Sequence, residues 1–236
     1  MPTASVAARP ATPPLSRGEL SRERILDAAE ALIDREGDGA LTFRRLGAEL
    51  GVDPTAAYRH FRNKDDLLLA LGDRLLGEAM TTTTAELPAD AGWRTVLSTA
   101  AHALRSTLLR HPRLASLISV RVTQGEHEVK AIESGLASLA ATGLSPREIV
   151  GVQRAFADTL LAWCAFSASY LGLSPEAKAR DAAAWATTYS QLPKDEYPHI
   201  HAAQPYFDEF DDTFDLALEL LLDGIAARIT RSQEIS

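Results

Sequence analysis

The 236-residue sequence contains one cysteine, Cys164, so no disulfide can close within the chain and no cysteine-based zinc cage can be assembled. That scarcity suits a reducing compartment and points to a cytoplasmic protein. Long apolar runs are also missing. The longest uncharged stretch, 159–173, carries Ser167, Ser169 and Tyr170 and falls short of the roughly 18–20 residues that span a bilayer. It reads as a buried helix, and no membrane partner is expected. Positive charge is in deficit, with 24 Lys and Arg against 32 Asp and Glu and a net charge of -8. An acidic surface repels phosphate, which argues against indiscriminate nucleic-acid binding by the whole molecule, so any DNA contact has to be local. There is no glycine-rich phosphate loop, no metal-ligand motif and no nucleophile–base spacing. No cofactor, metal or catalytic residue is expected. The rival reading, an all-helical enzyme using His102, His111, His199 or His201 as acid or base, finds no support in the pattern.

What is present is globular and helical: 46% hydrophobic residues against 24% charged, with Ala and Leu dominant. An all-α fold with almost no sheet is predicted. Residues 1–18 are rich in Pro, Ala and small polar residues and lack the apolar run of a secretory signal, which reads as a flexible arm. Between positions 42 and 64, Arg44, Arg45, Arg59, Arg62 and Lys64 face Glu49 and Asp53, a local balance of +3 in an acidic protein. Beyond Asp66 the balance falls to about -7, with acids gathered from Asp208 to Asp223. A five-cation patch alone is as consistent with a solvated face as with a DNA site, so the decision rests on the helix pattern.

Ile25, Leu26, Ala29, Leu32 and Ile33 share one face of a first helix that Gly37 and Gly39 end. Thr42 can cap a second helix, 42–50, and Gly51 terminates it in a tight turn. Asp53-Pro54 is a cap and first residue for a short third helix, about 54–61. Its Thr55, Ala56, Tyr58, Arg59 and His60 are small or hydrogen-bonding, as a helix entering a major groove requires, while Ala57 and Phe61 suit the core. Asn63 caps a fourth helix, 64–79, with Asp65 and Asp66 at its positive end and Lys64 free to reach phosphate.

The segment LTFRRLGAELGVDPTAAYRHFRNKDDLLLAL, 41–71, resembles the N-terminal domain of the TetR family of transcriptional regulators, and the likeness covers about 21–72. The resemblance implies a three-helix DNA-binding domain, 19–66, joined by the fourth helix to a ligand-binding and dimerisation domain, 67–236. It implies that Thr42 and Arg44 lie near DNA, that Thr55 and Ala56 face bases, and that Tyr58, His60 and Lys64 hold phosphates; Arg45 and Arg59 are further candidate DNA contacts. Packing remains an alternative for Tyr58 and His60, and plain exposure for Lys64. Pro54 stands where the tetracycline-repressor branch has a hydrogen-bonding side chain, so that branch's base contacts do not carry over wholesale.

After a polar break at 81–90, helices are predicted at 93–111, from Pro112 toward Val122, at 128–141, at 146–172 and at 205–231. Ser145-Pro146-Arg147-Glu148 forms a capping box. The Phe and Leu stripe of the last helix, from Phe207 and Phe210 to Ile225, serves either a core or, with 146–172, a four-helix dimer interface. The segment from Tyr197 onward is similar to the C-terminal domain of the tetracycline-repressor branch. In that branch a histidine after an HP-like break reaches a drug-bound magnesium ion; here the break is His111-Pro112 and the matching position is Ile118. Expected pocket walls are His102, Arg105, Leu109, Leu117, Trp163, Phe166 and Tyr170, suited to a hydrophobic or amphipathic organic ligand. The function implied is a homodimeric repressor on a palindromic double-stranded operator, released by that ligand. A regulator without a ligand, or an activator, has the same sequence features.

Overall fold

In a computed structural model that describes residues 20–209 and 212–235, the chain forms ten α-helices and three short 3-10 segments. The helices are α1 (Arg22–Glu36), α2 (Phe43–Leu50), α3 (Lys64–Glu86), α4 (Trp93–Arg110), α5 (Pro112–Ile118), α6 (Glu126–Ala140), α7 (Pro146–Leu171), α8 (Pro175–Ser190), α9 (Pro198–Ala203) and α10 (Phe214–Ile235). No strand occurs among the described residues, in agreement with the all-α expectation. The arm at 1–18, together with Phe210 and Asp211, lies outside them.

Local chemistry sets the boundaries. The Ser21 hydroxyl accepts from the Arg24 amide at 3.2 Å and starts α1, whose Ile25, Leu26, Ala29, Leu32 and Ile33 are all buried. Ser145 and Glu148 close the predicted capping box at the start of α7. The fourth predicted helix is longer than its apolar stripe: α3 continues through Thr81, Thr82, Thr83 and Thr84 to Glu86. Each threonine hydroxyl donates to the carbonyl four residues back, at 2.8–3.2 Å, so the polar run satisfies itself within the helix and the break begins only at Leu87. The predicted final helix is divided. Gln204–Glu209 is a 3-10 segment, and α10 starts at Phe214, whose amide donates to Asp212 Oδ1 at 3.1 Å. Helix α8 escaped the hydrophobic pattern, and none of its described side chains is buried, although Ser174 caps it and Pro175 opens it.

One continuous apolar core runs from α1 to α10. Helix α3 packs along α4 and α6, and α5 is wedged among α1, α3, α4 and α7, so both ends of the molecule meet at α5. The N-terminus of α6 is tied to α3. Asp73 accepts the backbone N–H of Glu128 at 2.9 Å and the His127 ring Nδ1 at 2.9 Å, and Gly77 opposite is bare enough for the imidazole to lie on α3. Burial alone would raise the Asp73 pKa, but the Glu128 N–H and the His127 ring more than offset it and hold the carboxyl below its usual value. A lowered folded-state pKa contributes stability above the unfolded value near 4 and loses it as pH falls through the folded value. Asp73→Asn is therefore expected to cost about 1–2 kcal/mol at neutral pH and to flatten the acid limb of stability, read by urea unfolding from pH 7 to 3. An unchanged acid limb would mean that the contact contributes nothing.

Candidate functional site

The N-terminal unit is organised by two glycines and two caps. Thr42 Oγ1 accepts the Arg45 amide at 3.2 Å to start α2, and Gly51 ends it in the left-handed region at φ 68°, ψ 29°. At Gly47 the following turn passes so close that a Cβ would sit 2.9 Å from the Val52 carbonyl oxygen and 3.0 Å from Pro54 Cα. This contact sets how the segment Pro54–Arg59 leans on α2. That segment is a 3-10 turn rather than the predicted helix of about 54–61, and Asp53 caps its start. Asp53 Oδ1 accepts both the Thr55 amide at 2.8 Å and the Thr55 hydroxyl at 2.6 Å. Ala57 and Phe61 are buried as expected.

None of the sequence-predicted DNA residues is buried. Thr42, Arg44, Arg45, Thr55, Tyr58 and Arg59 are exposed, and Ala56, His60 and Lys64 are half-buried. Tyr58 lies against the Phe43 ring, with centroids 4.2 Å apart, yet is 56% exposed, so it both packs and faces solvent. The cations are not equivalent. Arg45 binds Glu36 at 2.7 Å, Arg62 binds Asp66 at 3.2 Å, and Lys64 donates to the Asp38 carbonyl at 2.6 Å. Arg44 and Arg59 make no ion pair among the described residues, and they concentrate the uncompensated charge. Sequence reasoning missed Arg22, whose guanidinium lies 4.3 Å over the Phe61 ring and donates to the His60 carbonyl at 3.3 Å. No spacing signal links positions 22 and 60.

In the C-terminal part, three of the predicted pocket residues converge on Phe214. His102 meets that ring edge-on at 5.6 Å, and the Arg105 guanidinium stacks 4.6 Å above it while donating to Asp212 at 2.6 Å. Trp163 and Phe214 line a narrow cleft with Thr159, Leu160, Ala217, Leu218 and Leu221. Arg105 Nε is buried with no hydrogen-bond partner among the described residues. Burial pushes the Cys164 thiol up to about 11, against the nearby positive charge of Arg105, so this sulfur stays protonated and unreactive. Leu109 and Leu117 pack at the edge of the core. Phe166 and Tyr170 do not join the cleft: they are 69% and 47% exposed, on the side of α7 away from Cys164. Phe166 and Tyr170 share an exposed face of α7, as Leu216 and Leu220 share one of α10, so 146–172 is only half buried, contrary to the reading of 159–173 as a buried helix.

Two family models match the chain: "Bacterial regulatory proteins, tetR family" over residues 25–71, and "Tetracyclin repressor-like, C-terminal domain" over 87–229. The class A tetracycline repressor from transposon 1721 of Escherichia coli is 31% identical over 212 residues, covering 89% of this chain and 92% of its own length. The chain belongs to the TetR family.

Among solved structures, the Streptomyces coelicolor TetR protein ActR in complex with actinorhodin superposes with a TM-score of 0.77 at 25% identity, covering 89% of this chain and 97% of its own. BioQ bound to its double-stranded DNA operator gives 0.62 at 26% identity, over 89% and 99%. As a TetR family member this protein is a DNA-binding transcriptional regulator, and the proteins it matches are regulators rather than enzymes. One branch property is missing from its residues. Ile118 is an apolar side chain buried in α5, so the imidazole that a magnesium–drug complex needs at this position is absent and that chemistry does not fit.

Proposed function

We propose that this TetR regulator is a cytoplasmic homodimeric repressor, not an enzyme, in which residues 19–66 read a palindromic operator and residues 67–236 dimerise and bind an organic effector. The observation that carries the DNA reading is that Arg44 and Arg59 are exposed cations of the patch with no acidic partner among the described residues, in the same unit as exposed Thr55 and Tyr58. Arg44 and Arg59 supply counterion release at phosphates; Thr42, Arg45, Tyr58, His60 and Lys64 complete the backbone contacts. Thr55 and Ala56 face bases. With its proton committed to Asp53, the Thr55 hydroxyl offers acceptor lone pairs outward, which suits an adenine N6 or cytosine N4 amino group. The apolar stripes of α7 and α10 bury each other across a two-fold axis, which accounts for the exposed leucines and aromatics without a membrane. An effector with an aromatic body and an oxygen acceptor suits His102, Arg105, Trp163 and Phe214, with Leu109 and Leu117 as apolar floor. Binding there represses or induces only to the extent that it favours one spacing of the two reading heads.

Salt-dependent titration of operator DNA tests the assignment. Arg59→Ala is expected to weaken binding to all sequences alike and to lower the slope of log K against log salt by about one. Lys64→Ala, already engaged with Asp38, is expected to do so less, and Thr55→Val to change base preference at one position while leaving the slope alone. A slope unchanged by Arg59→Ala removes that arginine from the interface.

A further inference from the structure

We infer that Glu30, Asp34 and His111 form a binding site for a divalent transition-metal ion of the zinc class, at the junction between the DNA-binding head and the helical body. Glu30 and Asp34 lie one turn apart on α1 and so share a face. His111 sits in the elbow between α4 and α5, held out of helical geometry at φ -126°, ψ 61° before Pro112, which aims its ring at α1. Its Nδ1 lies 2.8 Å from Asp34 Oδ2 and 3.9 Å from Glu30 Oε1, and the three donor atoms fall within 4.8 Å of one another. Tetrahedral ligands about 2.0–2.1 Å from a zinc ion stand roughly 3.4 Å apart, so side-chain adjustments that change the donor separations by at most about 1.4 Å complete the arrangement.

The surrounding charges leave room for a cation. Asp27, Glu30 and Asp34 line this side of α1. Facing them, Arg74 of α3 binds Asp27 at 2.6 Å and the second Glu30 oxygen at 2.5 Å, while Arg113 of α5 donates to the Asp34 carbonyl at 3.0 Å. Arg110 is engaged with Glu78 at 3.2 Å. Glu30 Oε1, Asp34 Oδ2 and the imidazole are thus the donors that converge, and one nitrogen with two carboxylate oxygens selects zinc, cobalt or nickel over calcium or magnesium. On binding, Nδ1 becomes the unprotonated nitrogen of the neutral ring and Nε2 carries the proton. The ion would staple α1 to the α5 elbow and fix the head on the body, a second input distinct from the organic effector. Its ligands are 77 residues apart, which is why no sequence spacing reveals them.

Cobalt(II) serves as the probe, added to chelator-stripped full-length protein and read by its visible absorption, with zinc as competitor. The expected result is one cobalt per protomer, displaced by zinc. His111→Gln and Asp34→Asn should each weaken it at least about 100-fold while retaining wild-type helical circular dichroism, and His199→Ala should leave it unchanged. Cobalt binding by His111→Gln equal to wild type, or no saturable binding by the wild type, overturns the site without touching the DNA-binding assignment.

Discussion

Leu220→Asp is expected to leave each protomer folded and to separate the dimer, weakening self-association by at least about 100-fold. Leu220 is 64% exposed in the single chain, so the substitution opens no cavity and the fold loses little. In a two-fold interface the change is made twice, and each new carboxylate is carried into the groove between α7 and α10 beside Val152, Ala155 and Leu221. Burying a charge without a partner costs several kcal/mol, more than enough for a shift of that size. Operator affinity should fall with it, because one reading head reaches only one half-site. Sedimentation velocity across a concentration series checks the first part and a gel-shift titration the second. A dimer that survives Leu220→Asp would place the interface elsewhere.

The second large effect is local to the head. Gly47→Val is expected to abolish sequence-specific binding while the effector domain stays folded and dimeric. Its Cβ would be driven to 2.9 Å from the Val52 carbonyl and 3.0 Å from Pro54, both backbone, so only a displacement of the turn and of Pro54–Arg59 can relieve the contact. Overpacking of this kind costs about 1–3 kcal/mol and moves Thr55 and Arg59 out of register with Arg44. Gly39→Ala, where an added methyl meets nothing within 4 Å, is the control and should be near neutral. Hydrogen exchange resolved by segment would show the loss of protection confined to residues 20–62. Unimpaired operator binding by Gly47→Val would falsify the view that this close approach orients the reading segment.

The features that were legible in the sequence are those fixed by neighbours a few residues away. Thr42, Gly51, Asp53-Pro54 and Asn63 announce the ends of their elements because each cap acts within three residues, and all four perform those roles in the structure. The same logic found the start of α7. It failed where a polar run satisfies its own hydrogen bonds, as the threonines of α3 do, and where a helix buries none of its described side chains, as in α8. Which of the candidate DNA cations are paired was only partly legible: Arg62 and Asp66 are four residues apart, but the pairing of Arg45 and Lys64, with none for Arg44 and Arg59 among the described residues, depends on Glu36 and Asp38 coming near in three dimensions. In the effector domain, Phe214 draws His102 and Arg105 together across more than 100 residues, and the exposure of Phe166 and Tyr170 was not legible because an aromatic on a long amphipathic helix has the same spacing whether it faces the core or solvent.

Selection of bound sequences from random double-stranded DNA by the wild-type protein tests the central claim most directly, since it reports recognition and dimer symmetry together. The account predicts an enriched inverted repeat whose half-sites are centred about one helical turn or a modest multiple apart, 34–36 Å per turn, with binding that weakens steeply as salt rises. Enrichment of no sequence, or of a single unrepeated site bound with no dependence on salt, would contradict it.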